Sequence, residues 1–487
     1  MPRLTAWRLL RSGSPTPLRE VDRFAAERGL DARDRGFVRR LVGTEIRRRA
    51  TLRAIVREYA YGKPSPDFTA HLHLAIVQAL FLDRIPDHAL SSETMRLVEE
   101  TCPPADVRNA RGILHALLLS RTRGHTGNPR RDIVGRPLAL DRDVFADPVQ
   151  HPALWAEEAL SMPAPLFKGW TTRHGEERAL ALALAALEEP DLSLRVIGAE
   201  REAAQRELAA LGVVARASRH PRLLLVDSAA ADRALDSAAM REGRVTVQGE
   251  SALRAAEAVQ ATAGDSLLDL CAAPGGKTAV LAESGARVLA CDVDERRLER
   301  LRDTLARLGL AGRVETRVSD GAAELGTATF DGVLIDAPCT NTGVLAQRPE
   351  ARWRFGPKFK AELVALQARL MREGAARVKV GGRLVWSTCS LDPDENARQV
   401  RAFLAESDAW GLEEEALSLP DVGLADVGLE PTSSTPAALP VSTPEIAADA
   451  ANDPAPARPT LGARELVLQK GDGPIDGGYF ARLRRYR

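Results

Sequence analysis

At 487 residues the chain is too long for one hydrophobic core, so two to four domains are expected. Its five cysteines, Cys102, Cys271, Cys291, Cys339 and Cys389, are too few and too scattered for a disulfide framework, and no stretch approaches the roughly 18 apolar residues of a membrane span; a reducing, cytoplasmic setting is expected, without secretion or membrane insertion. The net charge of zero hides an asymmetry: residues 1–63 hold 16 Lys/Arg against 7 Asp/Glu, and residues 411–460 hold 1 against 9. A basic amino-terminal region attracts polyanions such as RNA, although a solvated Arg-rich helix face explains the same charge equally well.

From Leu4 to about Ser120 apolar residues recur at helical spacing, as in Phe37, Leu41, Ile46 and Leu52, then Leu72, Ile76 and Leu80, then Ile113 and Leu117. The pattern predicts an all-helical domain over 1–125, followed by a polar linker over 126–150 that runs through Thr126-Gly127-Asn128-Pro129. Residues 151–250 read as a small α+β module with helices at 176–187 and 199–211 and strands at 193–197 and 223–226.

From about 251 the pattern turns to strand, helix, strand, helix, which predicts a doubly wound α/β sheet over 251–487. Its strands are placed at 266–272, 287–291, 314–318, 333–336 and 383–388, with helices at 278–284, 295–308, 359–378 and 394–405. Residues 420–460 carry eight prolines among Ala, Ser, Thr and Asp and are expected to be a disordered insertion. Strands at 465–469 and 479–483 are expected to close the sheet as an antiparallel edge pair.

Three apolar runs end in motifs that carry chemistry. Leu267-Leu268-Asp269-Leu270 leads into Cys271-Ala272-Ala273-Pro274-Gly275-Gly276-Lys277; Val333-Leu334-Ile335 leads into Asp336-Ala337-Pro338-Cys339; Leu384-Val385-Trp386 leads into Thr388-Cys389-Ser390. Ligands of such sheets bind at the carboxyl ends of the strands, so both later thiols would face one crevice. The glycine loop lacks G-x-G-x-x-G and there is no phosphate loop, so a nucleoside ligand without phosphates fits better than a dinucleotide. Asp292, ending the next strand, is placed to accept hydrogen bonds from ribose hydroxyls.

These three motifs, in this order, resemble the motif set of the RNA cytosine-5 methyltransferases. The helical region, with Leu80-Phe81-Leu82-Asp83-Arg84-Ile85-Pro86 and Arg108-Asn109-Ala110, is similar to the NusB-like domain of their RsmB branch. The resemblance implies a Rossmann-like α/β domain dependent on S-adenosylmethionine, with small-subunit ribosomal RNA as substrate. It further implies that Cys271, Ala272, Ala273, Pro274, Gly275, Gly276 and Lys277 cradle the methionine part of the cofactor, that Asp292 holds the ribose, and that Asp320 sits beside the adenine. Asp336 would lie between cofactor and cytosine, Cys389 would be the nucleophile, and Cys339 the second cysteine that helps release product.

The chemistry asks for such parts independently. Carbon 5 of cytosine is a poor nucleophile until a thiolate adds at carbon 6, an acid near ring nitrogen 3 assists that addition, and a second group helps expel the thioether. DNA cytosine methyltransferases attack with a Pro-Cys thiol, so Pro338-Cys339 is the alternative nucleophile, while the resemblance favours Cys389. Cys102, Cys271 and Cys291 read as buried apolar thiols. Lys277 reads either as a surface residue opening a helix or as a contact to RNA or substrate, and Arg297 is ambiguous. His71 and His73 fall on different helix faces, no metal-ligand spacing is present, and no metal is expected. A monomer is favoured. Rivals are a transfer-RNA cytosine-5 methyltransferase and a non-catalytic, antitermination-like RNA-binding factor. Two departures from the family pattern stand out: an irregular connection over 151–170, and Gly249 where an acidic residue is common.

Overall fold

The computed structural model describes residues 1–60, 62–83, 85–198, 200–419, 464–467 and 476–487. These form two compact units, one of residues 1–190 with 340–361 and one of residues 191–339 with 362–487. The expected insertion at 420–460 lies outside the described residues.

The first unit is helical: α1 (Pro2–Arg11), α2 (Pro17–Ala26), α3 (Ala32–Tyr59), α4 (Pro66–Ile76), α5 (Asp87–Thr101) and α6 (Pro104–Leu119), a hairpin of β1 (Arg121–Arg123) and β2 (Leu138–Leu140), then α7 (Pro152–Leu160), α8 (Ala164–His174) and α9 (Glu176–Ala185). Asp31 starts α3 by accepting from the Asp34 amide at 2.8 Å, and Ser65 caps α4 through the Phe68 amide at 3.1 Å. The long α3 buries Leu41, Ile46, Leu52 and Ile55. It also buries Glu45, whose pKa burial would raise but which Arg49 and His73 (3.0 Å) hold down to about 2. His71 instead stacks on Trp7 and meets Thr101, and burial presses its pKa down to about 4.

Three expectations need correction here. The 126–150 connection is folded: β2 pairs with β1, and the Asp132 carboxylate ties the turn through the Thr126 and Gly127 amides at 2.8 and 3.0 Å. The supposedly irregular 151–170 stretch forms α7 and most of α8. The helices of 152–185 fall in the helical unit, so the boundary of the α+β module lies at Asp191 and not at 151.

The helical unit is completed by residues 340–361, which leave the other unit after Cys339 and return to it at Glu362. A 3-10 turn at Pro349–Trp353 carries Arg352, 1% exposed, whose guanidinium donates to the carbonyls of Ala186 (2.6 Å), Ser161 (3.2 Å), Pro349 (3.2 Å), Arg47 (3.3 Å) and Leu345 (3.4 Å). A planar fork of five N–H donors can satisfy such a ring of acceptors, which an ammonium group cannot. Burial pushes the pKa of Arg352 down to about 9, with repulsion from Arg47 and Arg48 adding to it. Trp353 adds a bond from its indole to the Ile46 carbonyl at 2.8 Å.

The second unit opens with β3 (Leu192–Val196), α10 (Arg201–Ala210), β4 (Ala215–Ala217), β5 (Leu223–Val226), α11 (Ala231–Leu235), α12 (Ala238–Arg241) and β6 (Val245–Val247), whose strands form an antiparallel sheet of order β4-β5-β3-β6. There follow α13 (Glu250–Glu257), β7 (Ser266–Leu270), α14 (Gly276–Glu283), β8 (Arg287–Asp292), α15 (Glu295–Arg307), β9 (Val314–Val318), β10 (Phe330–Asp336), α16 (Pro357–Ala375), β11 (Val378–Thr388), α17 (Ala397–Glu406), β12 (Trp410–Leu419), β13 (Arg464–Val467) and β14 (Gly478–Arg485). The eight-stranded sheet has the order β13-β12-β14-β11-β10-β7-β8-β9. Its core from β11 to β9 is parallel and doubly wound, as the alternating pattern predicts.

The closing strands differ from expectation. β14 runs antiparallel between β11 and β12, and β13 pairs parallel with β12, so the two predicted strands never pair with each other. The unpredicted β12 bridges them, its Glu413 meeting Arg482 and Arg484 of β14 at 2.9 and 2.7 Å.

Gly249 finds its reason in this corner. It precedes α13, and a Cβ there would lie 2.3 Å from Oδ2 of Asp476, which accepts from the Ser251 hydroxyl (2.9 Å) and amide (3.3 Å). A carboxylate 225 positions away in sequence thus caps the helix, and glycine leaves it room. Asp476→Ala should cost about 1 kcal/mol of stability. Gly249→Ala should be destabilising in the native background and much less so beside Asp476→Ala, a coupling that a double-mutant cycle by urea denaturation would register; additive effects would mean that the two positions do not compete for space.

Candidate functional site

Parallel strands bring their carboxyl ends to one edge, and five of them end there in polar residues or loops: β7 before Cys271, β8 at Asp292, β9 before Ser319, β10 at Asp336 and β11 at Thr388. The loop after β7 turns sharply. Cys271 holds φ 60° and Gly275 φ 101°, and a Cβ on Gly275 would meet Leu301 of α15 at 2.8 Å, so only glycine lets α15 close on the loop. The Ala272 amide is fixed to the Cys291 carbonyl at 2.9 Å.

Asp292 is 2% exposed and accepts from the Ala273 amide (3.2 Å), while Arg297 of α15 pairs with it at 3.1 Å and donates to the Ala273 carbonyl at 2.7 Å. Arg297, ambiguous in sequence, is therefore the clamp between the glycine loop and the acid of β8. Lys277 is not a surface residue: its side chain is 14% exposed and its ammonium lies 2.8 Å from Asp336. Burial works against that charge, but Asp336, followed by Cys389 and Asp269, outweighs it and holds the Lys277 pKa above its ordinary value.

Cys339 is buried and Cys389 partly exposed, and their sulfurs stand 3.2 Å apart. Their proximity follows from the β10–β11 register, in which Asp336 faces Ser387. None of the five cysteines is in a disulfide. Burial raises the pKa of Cys271 well above the thiol range, helped by Asp336 and Asp292, and pushes Cys291 up to about 12, so neither is a thiolate near neutral pH. Asp320 lies two residues beyond β9 with its carboxylate 70% exposed and paired with Arg369 at 3.0 Å. Among the described residues no group of three or more candidate metal ligands occurs, and no helix is long and apolar enough to cross a membrane.

Sequence reasoning passed over Asp269, although a carboxylate inside the apolar run of β7 was a visible signal. It is fully buried, and Thr278 donates to its Oδ2 at 2.6 Å while Oδ1 has no partner among the described residues. Also missed were Gln367, Glu395 and Asn396. Asn396 donates to the Ser390 carbonyl at 2.8 Å and accepts from Thr388 at 2.5 Å, which shapes the turn around Cys389.

Residues 256–436 match the family model of the 16S rRNA methyltransferase RsmB/F, and residues 13–118 match the NusB family. The ribosomal RNA small subunit methyltransferase B of Klebsiella pneumoniae is 43% identical over 171 residues, which are 34% of this chain and 39% of that protein. The protein of the same name from Citrobacter koseri is 42% identical over 192 residues, 38% of this chain and 44% of its own. The match thus spans about two fifths of the length of these curated relatives. In fold the chain is similar to the crystal structure of PH0851, with TM-score 0.70 and 23% identity over 100% of this chain and 99% of that one. It is also similar to NSun6 from Pyrococcus horikoshii, solved with SFG, at TM-score 0.50 and 18% identity over 67% of this chain and 98% of that one.

Burial pushes the pKa of Asp269 up to about 7; the Thr278 hydrogen bond opposes the shift, Asp336 adds to it, Lys277 opposes it and Asp292 adds to it. This folded value exceeds the unfolded one of about 3.9, so between about pH 4 and 7 the folded state keeps a proton that the unfolded chain has lost, and the group's contribution to stability falls as pH rises through that window. Asp269→Asn should therefore gain on the wild type by up to about 4 kcal/mol from pH 4 to pH 8. Urea titrations across that range would show it; parallel profiles would mean that Asp269 is ionised throughout.

Proposed function

We propose that this chain transfers a methyl group from S-adenosylmethionine to carbon 5 of a cytosine in small-subunit ribosomal RNA, in the cytoplasm. The observation that carries the reading is the pair of sulfurs 3.2 Å apart at adjacent strand ends, on the same sheet edge as the glycine loop and the Lys277–Asp336 ion pair. The match to the 16S rRNA methyltransferase RsmB/F family model supports the same class of RNA.

The cofactor's fit is supported by the chain's own groups. The turn through Gly275 lets a small ligand approach the backbone, and Asp292 stands fixed by Ala273 and Arg297 as a charged acceptor for ribose hydroxyls. When bound, S-adenosylmethionine supplies an electrophilic methyl on a sulfonium. Asp320, exposed and engaged with Arg369, would reach the adenine only as part of that pair.

Cys389 is favoured as nucleophile because it is the more accessible of the two thiols and because the Lys277 ammonium interacts with it, which stabilises a thiolate. Its sulfur adds to carbon 6. The Lys277 ammonium, paired with the Asp336 carboxylate at 2.8 Å, can donate to ring nitrogen 3 as charge gathers there; general acid assistance of that kind is worth roughly 10² to 10⁴ in rate. Carbon 5 then takes the methyl from the sulfonium, its proton passes to a base, Cys339 or a water that Cys339 orients, and the carbon–sulfur bond breaks to restore the aromatic ring and return Cys389 as a thiolate. Cys339, in contact with the departing sulfur, assists this elimination.

Labelled methyl should appear in unmodified small-subunit RNA as 5-methylcytosine. Cys389→Ala should abolish both turnover and covalent adduct, whereas Cys339→Ala should accumulate protein bound to RNA as a denaturant-resistant band. Label at a ring nitrogen or ribose oxygen would overturn the reading, and an adduct confined to the Cys389 variant would reverse the two roles.

The helical unit would supply electrostatic affinity for RNA through exposed arginines such as Arg33, Arg40 and Arg53 of α3. Replacing these by glutamine should weaken RNA binding and flatten its salt dependence, by up to about 0.9 in the logarithmic slope for each phosphate no longer neutralised, with cofactor affinity unchanged. An unaltered slope would make the basic helix a merely solvated face.

A further inference from the structure

The β10–β11 ladder reaches its last register pair at Asp336 and Ser387, with the Ala337 amide bonded to the Ser387 carbonyl at 2.9 Å. Both cysteines lie beyond it, on turns that leave the sheet. Gln367, at the buried face of α16 and 0% exposed, spans that gap. Its Nε2 donates one hydrogen to the Pro338 carbonyl at 2.8 Å and the other to Oε1 of Glu395 at 3.1 Å. The second oxygen of Glu395 accepts from the hydroxyl of Ser390, and the Glu395 carbonyl accepts from the Trp386 indole at 3.1 Å.

Pro338 immediately precedes Cys339, and Ser390 immediately follows Cys389. One carboxamide therefore ties the chain on one side of the first thiol to the chain on one side of the second. Resting on the cytosine-5 reading above, we propose that Gln367 is a positioning residue, which fixes the separation of the two cysteine sulfurs by bridging Pro338 and Glu395. A carboxamide suits the task because its two N–H bonds diverge at a fixed angle from one planar atom, so two acceptors are held at a set distance from each other. A carboxylate there would face the Glu395 carboxylate and the Pro338 carbonyl with no donor. A thioether of similar length would fill the space without joining the turns.

Attack by one thiol and release by the other both depend on their spacing, and a displacement of about 1 Å in a reacting group costs on the order of 10²-fold in rate. The test compares wild type with Gln367→Met and Gln367→Glu by two readouts. The first is kcat and KM for RNA methylation. The second is the affinity for phenylarsine oxide, which forms two sulfur–arsenic bonds only with closely set thiols, the two thiol protons leaving with the oxide oxygen as water. Both variants should keep the S-adenosylmethionine affinity and the KM for RNA, with the melting temperature lowered more by Gln367→Glu than by Gln367→Met, while kcat falls by about 10- to 100-fold and arsenical affinity falls at least about tenfold. Wild-type kcat together with wild-type arsenical affinity in the variants would overturn the proposal. So would cofactor affinity falling in step with kcat, since that marks a structural role, and so would a wild type that binds the arsenical no better than Cys339→Ser. Reduced arsenical affinity in the variants, with no cytosine methylation even by the wild type, would uphold the positioning role and reject the reaction assigned above.

Discussion

The site depends first on the in-register parallel pairing of β10 with β11. Neighbouring strands stand roughly 4.8 Å apart, and parallel strands end on the same edge, so residues at matching positions past the last pair are delivered side by side. Asp336 opposite Ser387 sets that match, and Cys339 and Cys389 follow three and two residues later. A slip of one residue would turn Asp336 to the other face of the sheet and away from Lys277. Trp386, fully buried and anchored through its indole, resists such a slip, because moving it would empty a large core volume and orphan a donor.

Charge within this edge is arranged so that few groups remain reactive. Cys271 and Cys291 are held as thiols by burial and by neighbouring carboxylates. Lys277 stays an ammonium against the pull of burial because Asp336 faces it, and Arg297 fixes Asp292 and the glycine loop in one gesture. The surrounding side chains thus leave the two sulfurs at the strand ends as the nucleophilic candidates of the edge.

Much of this is legible in the sequence. Apolar runs such as Val333-Leu334-Ile335 can only be buried strands when helical patterns flank them, and the polar motif that ends each run marks the functional edge. What escapes reading depends on partners distant in sequence. β12 reads as an acidic stretch because Glu413, Glu414 and Glu415 mask its alternation, and it becomes a strand only where Arg482 and Arg484 of β14 meet those charges. Gly249 reads as a lost acid until Asp476 is seen to supply the same group from elsewhere. The boundary near 150 misleads because short polar turns resemble linkers whether or not they are folded, and the buried bonds of Arg352 leave no trace in local composition.

The ring of carbonyls around Arg352 also bears on the order in which the chain is made. Ribosomal synthesis proceeds from the amino end, so the helices up to Pro190 emerge long before the arginine that fills their interior. At roughly 5–20 residues per second, the wait between Pro190 and Arg352 is on the order of ten to thirty seconds. Throughout that interval the carbonyls of Arg47, Ser161 and Ala186 lack the donor that the finished unit gives them, and water must serve in its place. The helical unit is therefore first in sequence but cannot be first to reach its final packing, and a nascent chain halted before residue 352 should remain hydrated where the mature protein is dry.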